Sequence, residues 1–469
     1  MEACMIGFVV DFKVNSIPKY IQLYDYIKKE IEGGNLENGE KLPSVRAVTK
    51  TLSISKATVE NAYNQLVLEG YIESKVKSGY YVLGFNASEL GHFKRVQITQ
   101  SNREAIIEIE KPFNTDGTEE SAFNFIEWKK AVNRVLEYEK KALLSYGDAK
   151  GEYCLRQEIA SFVHQSRGGV CKPEQVVIGA GIQYLFGLIA STFKNEYGSI
   201  AFEYPGFSKG MVIFEDYGYE MVKIPLEKDG IDMKTLEKSQ ANIVYVSPSH
   251  QYPTGNVMAI KKRLQLLDWA KKNNAYIIED DYDSLLRYEG YPVPALQGLN
   301  EGENVIYVGS FSKLLIPALR ISFMILPESL MAKFEMVLPR YSQSVSKIEQ
   351  LALENFMREG AFERHIRRIK KIYGRKNALL IDAFKRNESP LVALIGKGSG
   401  LHVTLSFDAS VNIRKVIDAG QALGIILEEI AGYKQGNIVV FSYSGVPDHV
   451  MDHVVSEIIR IADKNLRVK

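Results

Sequence analysis

Near the N-terminus, Tyr20, Tyr24, Ile27 and Ile31 recur at intervals of four, three and four, the spacing that lines one face of a helix. The turn-rich stretch GGNLENGEKLP ends this pattern,. A second helix is predicted after Ser44, a residue suited to capping, with Val45, Val48 and Leu52 inward,. Beyond a short turn at Ser53-Ile54, Ser55 can cap a third helix that turns Val59, Ala62, Tyr63, Leu66 and Val67 to the core. YIESKVKSGYYVL then alternates as two short strands around Lys77-Ser78-Gly79, a hairpin,. Helix, helix, turn, helix, hairpin is the outline of a winged helix-turn-helix over residues 17–84.

The next stretch, 85–120, is polar and weakly periodic and reads as a linker. From 121 to 469 helical stretches alternate with short apolar runs: Val176–Ile178, Ser199–Phe202, Ile243–Val246, Tyr276–Ile278, Val305–Val308 and Ile321–Ile325. Such alternation predicts an α/β unit with a mainly parallel sheet covered on both faces. A long charged helical region after about Tyr341 precedes a smaller α+β unit near Leu401–Phe407, Ile425–Glu428 and Ile438–Tyr443.

Composition narrows the class. A chain of 469 residues exceeds one core, and its 46% hydrophobic content can build several,. No apolar run is long enough for a membrane span, and the short apolar patch at the N-terminus lacks the basic and small-residue flanks of a signal peptide. Three cysteines, Cys4, Cys154 and Cys171, lack metal-ligand spacing and suit a reducing, cytoplasmic setting. A net charge of +1 means that any nucleic-acid footprint is local. Within 17–84 the nine Lys/Arg barely exceed the eight Asp/Glu, but five of those acids precede Lys41. The later part is therefore basic.

The segment LPSVRAVTKTLSISKATVENAYNQLVLEGYIESKVKSGYYV resembles the GntR family of winged-helix regulators through LPS-x-R, S-x-x-TV and L-x-x-EG-x-I. That resemblance implies double-stranded DNA as partner. Ser44 and Ser55 head helices whose free N–H groups suit phosphate. Arg46 can fork onto phosphate or guanine, Lys56 and Thr58 belong to the exposed face of the third helix, and Lys75, Lys77 and Gly79 to the wing. The same serines and lysines also serve as plain caps and solvated surface.

GSFSKLLIPALR, residues 309–320, places Lys313 on a tight turn after a buried strand, flanked by hydroxyls. A lysine so placed suits a Schiff base with pyridoxal 5'-phosphate. Ser310, Ser312 and Arg320 can bind its phosphate. In IIEDDYDS, Asp280 can face the pyridine nitrogen and Tyr282 the phenolic oxygen, although chemistry alone does not separate Asp280 from Asp281 and Asp283. Gly181 and Ile182 open a helix whose N-terminus can receive phosphate, or Gly181 serves only a turn. Phe207 can stack on the ring or belong to the core. In this order the motifs look like fold-type I aminotransferases. With the head, the chain resembles the MocR/GabR subfamily through PSHQ-x-PTG, EDDYDS and SFSK-x-L-x-P-x-LR. The resemblance implies Lys313 as the cofactor lysine, Asp280 and Tyr282 in the roles given, an amine or amino-acid effector or the cofactor itself as signal, and a head-to-tail homodimer.

Two positions depart from the aminotransferase pattern. Tyr252 stands where an Asn usually precedes Pro-Thr-Gly, and Val440, in IVVFSYSG, stands where a strand arginine usually clamps the substrate carboxylate. The expectation is therefore a regulator with at most residual transamination. A working aminotransferase with an accessory head is the competing reading. Finally, residues 358–376 carry eight Lys/Arg against two acids, either a further phosphate-binding face or a solvated helix packing Phe362, Ile366 and Ile369.

Overall fold

A computed structural model describes residues 10, 12, 17–83, 113, 115, 117–288, 293–396, 400–430 and 437–467. The chain divides into two compact units, Met1–Ile109 and Glu110–Lys469. Most of the expected linker, 85–120, lies outside the described residues, as does Cys4. At the start of the second unit, Phe113 and Thr115 donate backbone hydrogen bonds to Leu423 and Gly424.

The first unit contains α1 (Lys19–Glu32), α2 (Val45–Leu52), α3 (Lys56–Leu68) and a hairpin of β1 (Ile72–Lys75) and β2 (Gly79–Val82). Ser44 accepts from Ala47 N at 3.2 Å and Ser55 from Thr58 N at 3.1 Å, so both serines cap their helices. Ser53, at φ 52°, makes the left-handed turn between α2 and α3. The buried face of α1 differs from the expected one. Leu23, Ile27 and Ile31 are buried, whereas Tyr20 is exposed and Tyr24 half-buried. Two stripes compete on this helix, and the branched aliphatic one fits the core while the tyrosines keep their hydroxyls near water. Val67, expected inward, is exposed; Val59, Ala62, Tyr63 and Leu66 fill the core of α3.

In the second unit the main sheet comprises β3 (Val176–Ala180), β4 (Ser199–Tyr204), β5 (Glu220–Glu227), β6 (Gly230–Ile231), β7 (Ile243–Val246), β8 (Tyr276–Asp281), β9 (Val305–Ser310) and β10 (Ile321–Ile325), in the order β3-β10-β9-β8-β7-β4-β5-β6. The central pairs β5–β4–β7–β8–β9 are parallel, and β10 runs antiparallel to both β9 and β3. Consequently the C-terminal ends of β3, β4, β7, β8 and β9 and the N-terminal end of β10 share one edge. In parallel sheets covered on both faces that edge carries the ligand sites. Strands β5 and β6 were not expected from the sequence; β5, near the sheet margin, mixes exposed and partly buried positions with one buried residue, Ile224, so it lacks the continuous apolar run of the central strands.

A smaller antiparallel sheet, in the order β11-β12-β14-β13, is built from β11 (Val392–Gly396), β12 (His402–Phe407), β13 (Leu427–Glu429) and β14 (Asn437–Ser442). It packs on the helices Ala361–Arg386, Ile413–Leu423 and Met451–Lys464 through Leu380, Phe384, Val416 and Ile458. The basic stretch lies on the helices Lys347–Arg358 and Ala361–Arg386; Phe362 and Ile369 are buried and Ile366 half-buried. Arg375 pairs with Asp448 at 2.7 Å, and buried Lys376 meets Glu119 at 2.6 Å. Among the described residues, no helix is long and apolar enough to cross a membrane, and no cluster could hold a metal ion.

Candidate functional site

On the head, Ser44, Arg46, Ser55, Lys56, Lys75 and Lys77 are exposed, and Thr58 and Gly79 half-buried. Capping occupies the oxygens of Ser44 and Ser55, and Ser55 Oγ also lies 2.7 Å from Thr58 Oγ1. The lysines have carboxylate neighbours: Lys56 pairs with Glu60 at 3.0 Å and Lys75 with Glu73 at 2.8 Å. Lys75 and Lys41 both approach the ring of Tyr81. Lys77, at φ 62°, and Gly79, at φ 116°, form the tip of the wing. Exposed pairs of this kind contribute little and exchange readily for other anions.

In the large unit the sheet brings together residues far apart in sequence. Ala180 pairs with Ile321, and Ser322 with Ser310. This register sets Gly181 beside Arg320 and both near Ser310. Gly181, at φ 91°, caps the helix Ile182–Phe193, and a side chain on it would collide with the Arg320 guanidinium. Arg320 itself adopts the left-handed conformation, φ 51°. Ser310 Oγ accepts from Ser312 N at 3.2 Å and Ser322 Oγ at 3.0 Å. Helix N–H groups, hydroxyls and a guanidinium thus line one corner, the donor set an anion needs. Lys313 stands exposed on the turn after β9, which buried Phe311, Leu314 and Leu315 anchor.

The structure separates the three aspartates that follow Glu279. Neither Asp281 nor Asp283 is a surface carboxylate. Asp281 Oδ2 meets buried Arg167 at 2.6 Å and accepts from Tyr307, while Arg167 also reaches Ser249 at 2.5 Å. Asp283 Oδ1 lies 2.7 Å from His250 Nδ1, with both side chains buried. Asp280 has no cation partner among the described residues. Its Oδ2 accepts from Tyr245 at 2.6 Å and its Oδ1 is buried without a partner. Burial pushes its carboxyl up to about 7. An unmet buried acceptor costs about 1–3 kcal/mol, so this oxygen fits a ligand N–H. Half-buried Phe207 packs near Tyr245, with ring centroids 6.4 Å apart. Tyr245, which donates to Asp280, thus has a second aromatic ring beside it. A second buried carboxyl, Glu203 at the end of β4, accepts from Ser247 N at 3.0 Å, and burial pushes it up to about 8.

Tyr282 is half-buried, and its hydroxyl lies 3.1 Å from His250 Nδ1. His402, on β12, stacks on His250 with centroids 5.4 Å apart. Tyr252 packs edge-on to both Tyr282 and His402 and donates to Glu428 at 3.0 Å. Val440 is buried on β14, opposite Thr404 and Glu428. A cavity of about 140 Å³ lies beside it, bounded by Tyr204, Pro205, Tyr252, Glu428 and Glu429; no described lining residue is a Lys or Arg. Arg167, Tyr245, His250 and His402 were not singled out from the sequence. The available signal for His250 was its place in PSHQ, directly after a buried strand.

Comparison with known proteins joins these two units. Residues 19–82 match the bacterial regulatory proteins of the gntR family, and residues 114–433 the aminotransferase class I and II family. The chain therefore belongs to the HTH-type transcriptional regulators of MocR/GabR type, a gntR-family head joined to an aminotransferase class I and II unit. It is 40% identical to the HTH-type transcriptional regulator YdeL of Bacillus subtilis over 87% of this chain and 88% of that one. Identity is 30% with the probable rhizopine catabolism regulatory protein MocR of Rhizobium meliloti, over 87% and 86%. With the pyridoxine biosynthesis regulator PdxR of Corynebacterium glutamicum it is 28%, over 94% and 95%. Among solved structures, the multiple substrate aminotransferase of Thermococcus profundus superposes with a TM-score of 0.68 at 23% identity, covering 81% of this chain and all but 1% of that one (99%). The last likeness bears on the fold.

Proposed function

We propose that this chain is a cytoplasmic, head-to-tail dimeric regulator that binds operator DNA through its head and holds pyridoxal 5'-phosphate on Lys313. Its signal is then an amine or amino acid, or the cofactor itself. The observation that carries this reading is the buried, unpartnered Asp280 Oδ1, on the sheet edge that also bears Lys313. When bound, the cofactor would supply an electrophilic carbon that reacts with amines and a ring that withdraws electrons. The protein's own residues do the rest. Ser310, Ser312, Arg320 and the helix opening at Gly181-Ile182 bind the phosphate, and Phe207 covers the ring. Asp280 holds the proton at the ring nitrogen, and Tyr282 orients the phenolic oxygen. Val440 offers no charge to a carboxylate, which supports sensing above turnover of ordinary amino acids.

Footprinting of the DNA upstream of the gene, with and without pyridoxal phosphate and candidate amines, tests this reading. Protection is expected to change with cofactor or amine in the wild type, and to lose that dependence in Lys313→Ala. Arg46→Ala is expected to weaken binding about tenfold and lower its salt dependence. Cofactor-independent protection in the wild type defeats the sensing claim. Robust multiple turnovers with an amino donor and a keto acid favour the working aminotransferase instead.

A further inference from the structure

Beside Tyr282 the structure holds a pair that the cofactor chemistry described above does not use. His250 follows β7 and Asp283 follows β8, neighbouring parallel strands, so both reach the same edge. His250 Nδ1 lies 2.7 Å from Asp283 Oδ1 and 3.1 Å from the Tyr282 hydroxyl. Gly400, at φ 72°, closes over the pair, and any side chain there would strike both the imidazole and the Asp283 carboxylate. His402 and Tyr282 both stack on the imidazole, with centroids 5.4 and 5.7 Å away. The ring is thus held in position by close packing.

Hydrogen bookkeeping gives this arrangement a consequence. A carboxylate oxygen can only accept, so Nδ1 of His250 carries the hydrogen in the 2.7 Å contact. A nitrogen that carries a hydrogen has no lone pair to offer Tyr282. The tyrosine therefore keeps its own hydrogen for a different acceptor. Without Asp283 the imidazole is free to change tautomer, and Nδ1 becomes an acceptor 3.1 Å from that hydroxyl.

We infer that His250 and Asp283 are positioning residues that lock the imidazole tautomer, so that the Tyr282 hydroxyl donates to the phenolic oxygen of the cofactor. This rests on the reading that Lys313 binds pyridoxal phosphate. A donor on that oxygen draws off electron density and weakens its hold on the imine proton, lowering the pH at which the proton leaves. Other ionisable groups face the same space: Asp280 on β8, Tyr252 after β7, His402 on β12, Glu203 at the end of β4 and Lys313 after β9. Tyr288 and Tyr443 lie beyond Asp283. Burial, with His250 and Lys313 nearby, holds His402 well below its ordinary value and so keeps it neutral. Burial pushes the Tyr282 hydroxyl well up, so it retains its proton.

The test is the pH titration of the visible absorbance band of full-length, cofactor-loaded protein. Asp283→Ala is expected to raise the midpoint by on the order of one pH unit, the size of one hydrogen bond. Tyr282→Phe is expected to raise it similarly, and the double variant no further. In a His250→Phe background, Asp283→Ala is expected to give no rise. The sign discriminates, because a carboxylate acting only through its charge lowers the midpoint when removed. An unmoved or lowered midpoint in Asp283→Ala, or additive shifts in the double variant, overturns the inference. Nitrogen NMR of His250 in the wild type needs no variant: a hydrogen on Nδ1 supports the lock and a bare Nδ1 overturns it. Absence of a visible band in the wild type defeats the cofactor reading itself, a distinct outcome.

Discussion

The two units differ in how deeply they bury their charged groups, although Lys313 and Arg320 of the large unit are exposed. In the head, Arg46, Lys56, Lys75 and Lys77 are exposed, and Lys56 and Lys75 pair with exposed or half-exposed glutamates. In the large unit, Arg167, Asp281, His250, Asp283 and Asp280 are all buried. A surface site of the first kind trades one weak partner for another, and its folded state barely registers the change. A buried site has no solvent to fall back on, so each group is either paired within the fold or awaits a ligand. Asp280 is half in each class: its Oδ2 accepts from Tyr245, and its Oδ1 has no partner.

The sharpest way to break this contrast is to remove one partner of a buried pair. Arg167→Met leaves Asp281 without its cation and is expected to destabilise the large unit by about 3–5 kcal/mol. Denaturant unfolding measures it; a loss below about 1 kcal/mol would show that the pair behaves like a surface one.

A smaller effect comes from pH. Asp280 at about 7 and Glu203 at about 8 lie above the unfolded values near 4,. The folded cofactor-free chain therefore binds more protons in that window. The stability these groups contribute is complete below about pH 4 and is lost as pH rises through about 7 and 8. In the head the direction is reversed for Glu69, which the Tyr24 hydroxyl holds below its ordinary value. The Tm of cofactor-free protein is expected to fall between about pH 5 and pH 8.5, and Asp280→Asn to flatten that fall. An unchanged slope in the variant removes Asp280 from the account.

The smallest effect sharpens the comparison on the head. Ser55→Ala removes a cap worth about 1 kcal/mol, which lowers the protection of α3 amides about fivefold. Hydrogen exchange in the full chain measures this, with the amides of β8 as the unaffected reference. A loss spread over both units contradicts separate folding.

Much of this was legible in the sequence, for identifiable reasons. The caps at Ser44 and Ser55 and the hairpin at Lys77-Ser78-Gly79 are local features, written where they act. Strand β7 announces itself as an uninterrupted apolar run, and β10 as one broken only by Ser322. What resisted reading was long-range. Asp280 and Asp281 point to opposite faces of β8, but both faces are covered, so no alternation marks which is which. Their assignment needed Arg167, more than a hundred residues away. The pairing of His250 with Asp283 likewise exists only once β7 and β8 are neighbours. On α1, spacing allowed two buried stripes, and the choice of Leu23 over Tyr20 belongs to the partners across the core.

Strand β3 lies at the margin of the main sheet, and its strand partner is β10, which inserts between it and β9. Its register therefore waits for residues made far later in synthesis, whereas the head is complete once β2 has left the ribosome. A growing or prematurely ended chain can present a finished DNA-binding head while Gly181 still lacks Arg320 beside it. Order of synthesis thus places the reader of DNA ahead of the aminotransferase-like unit, and message truncation between the two leaves the first without the second.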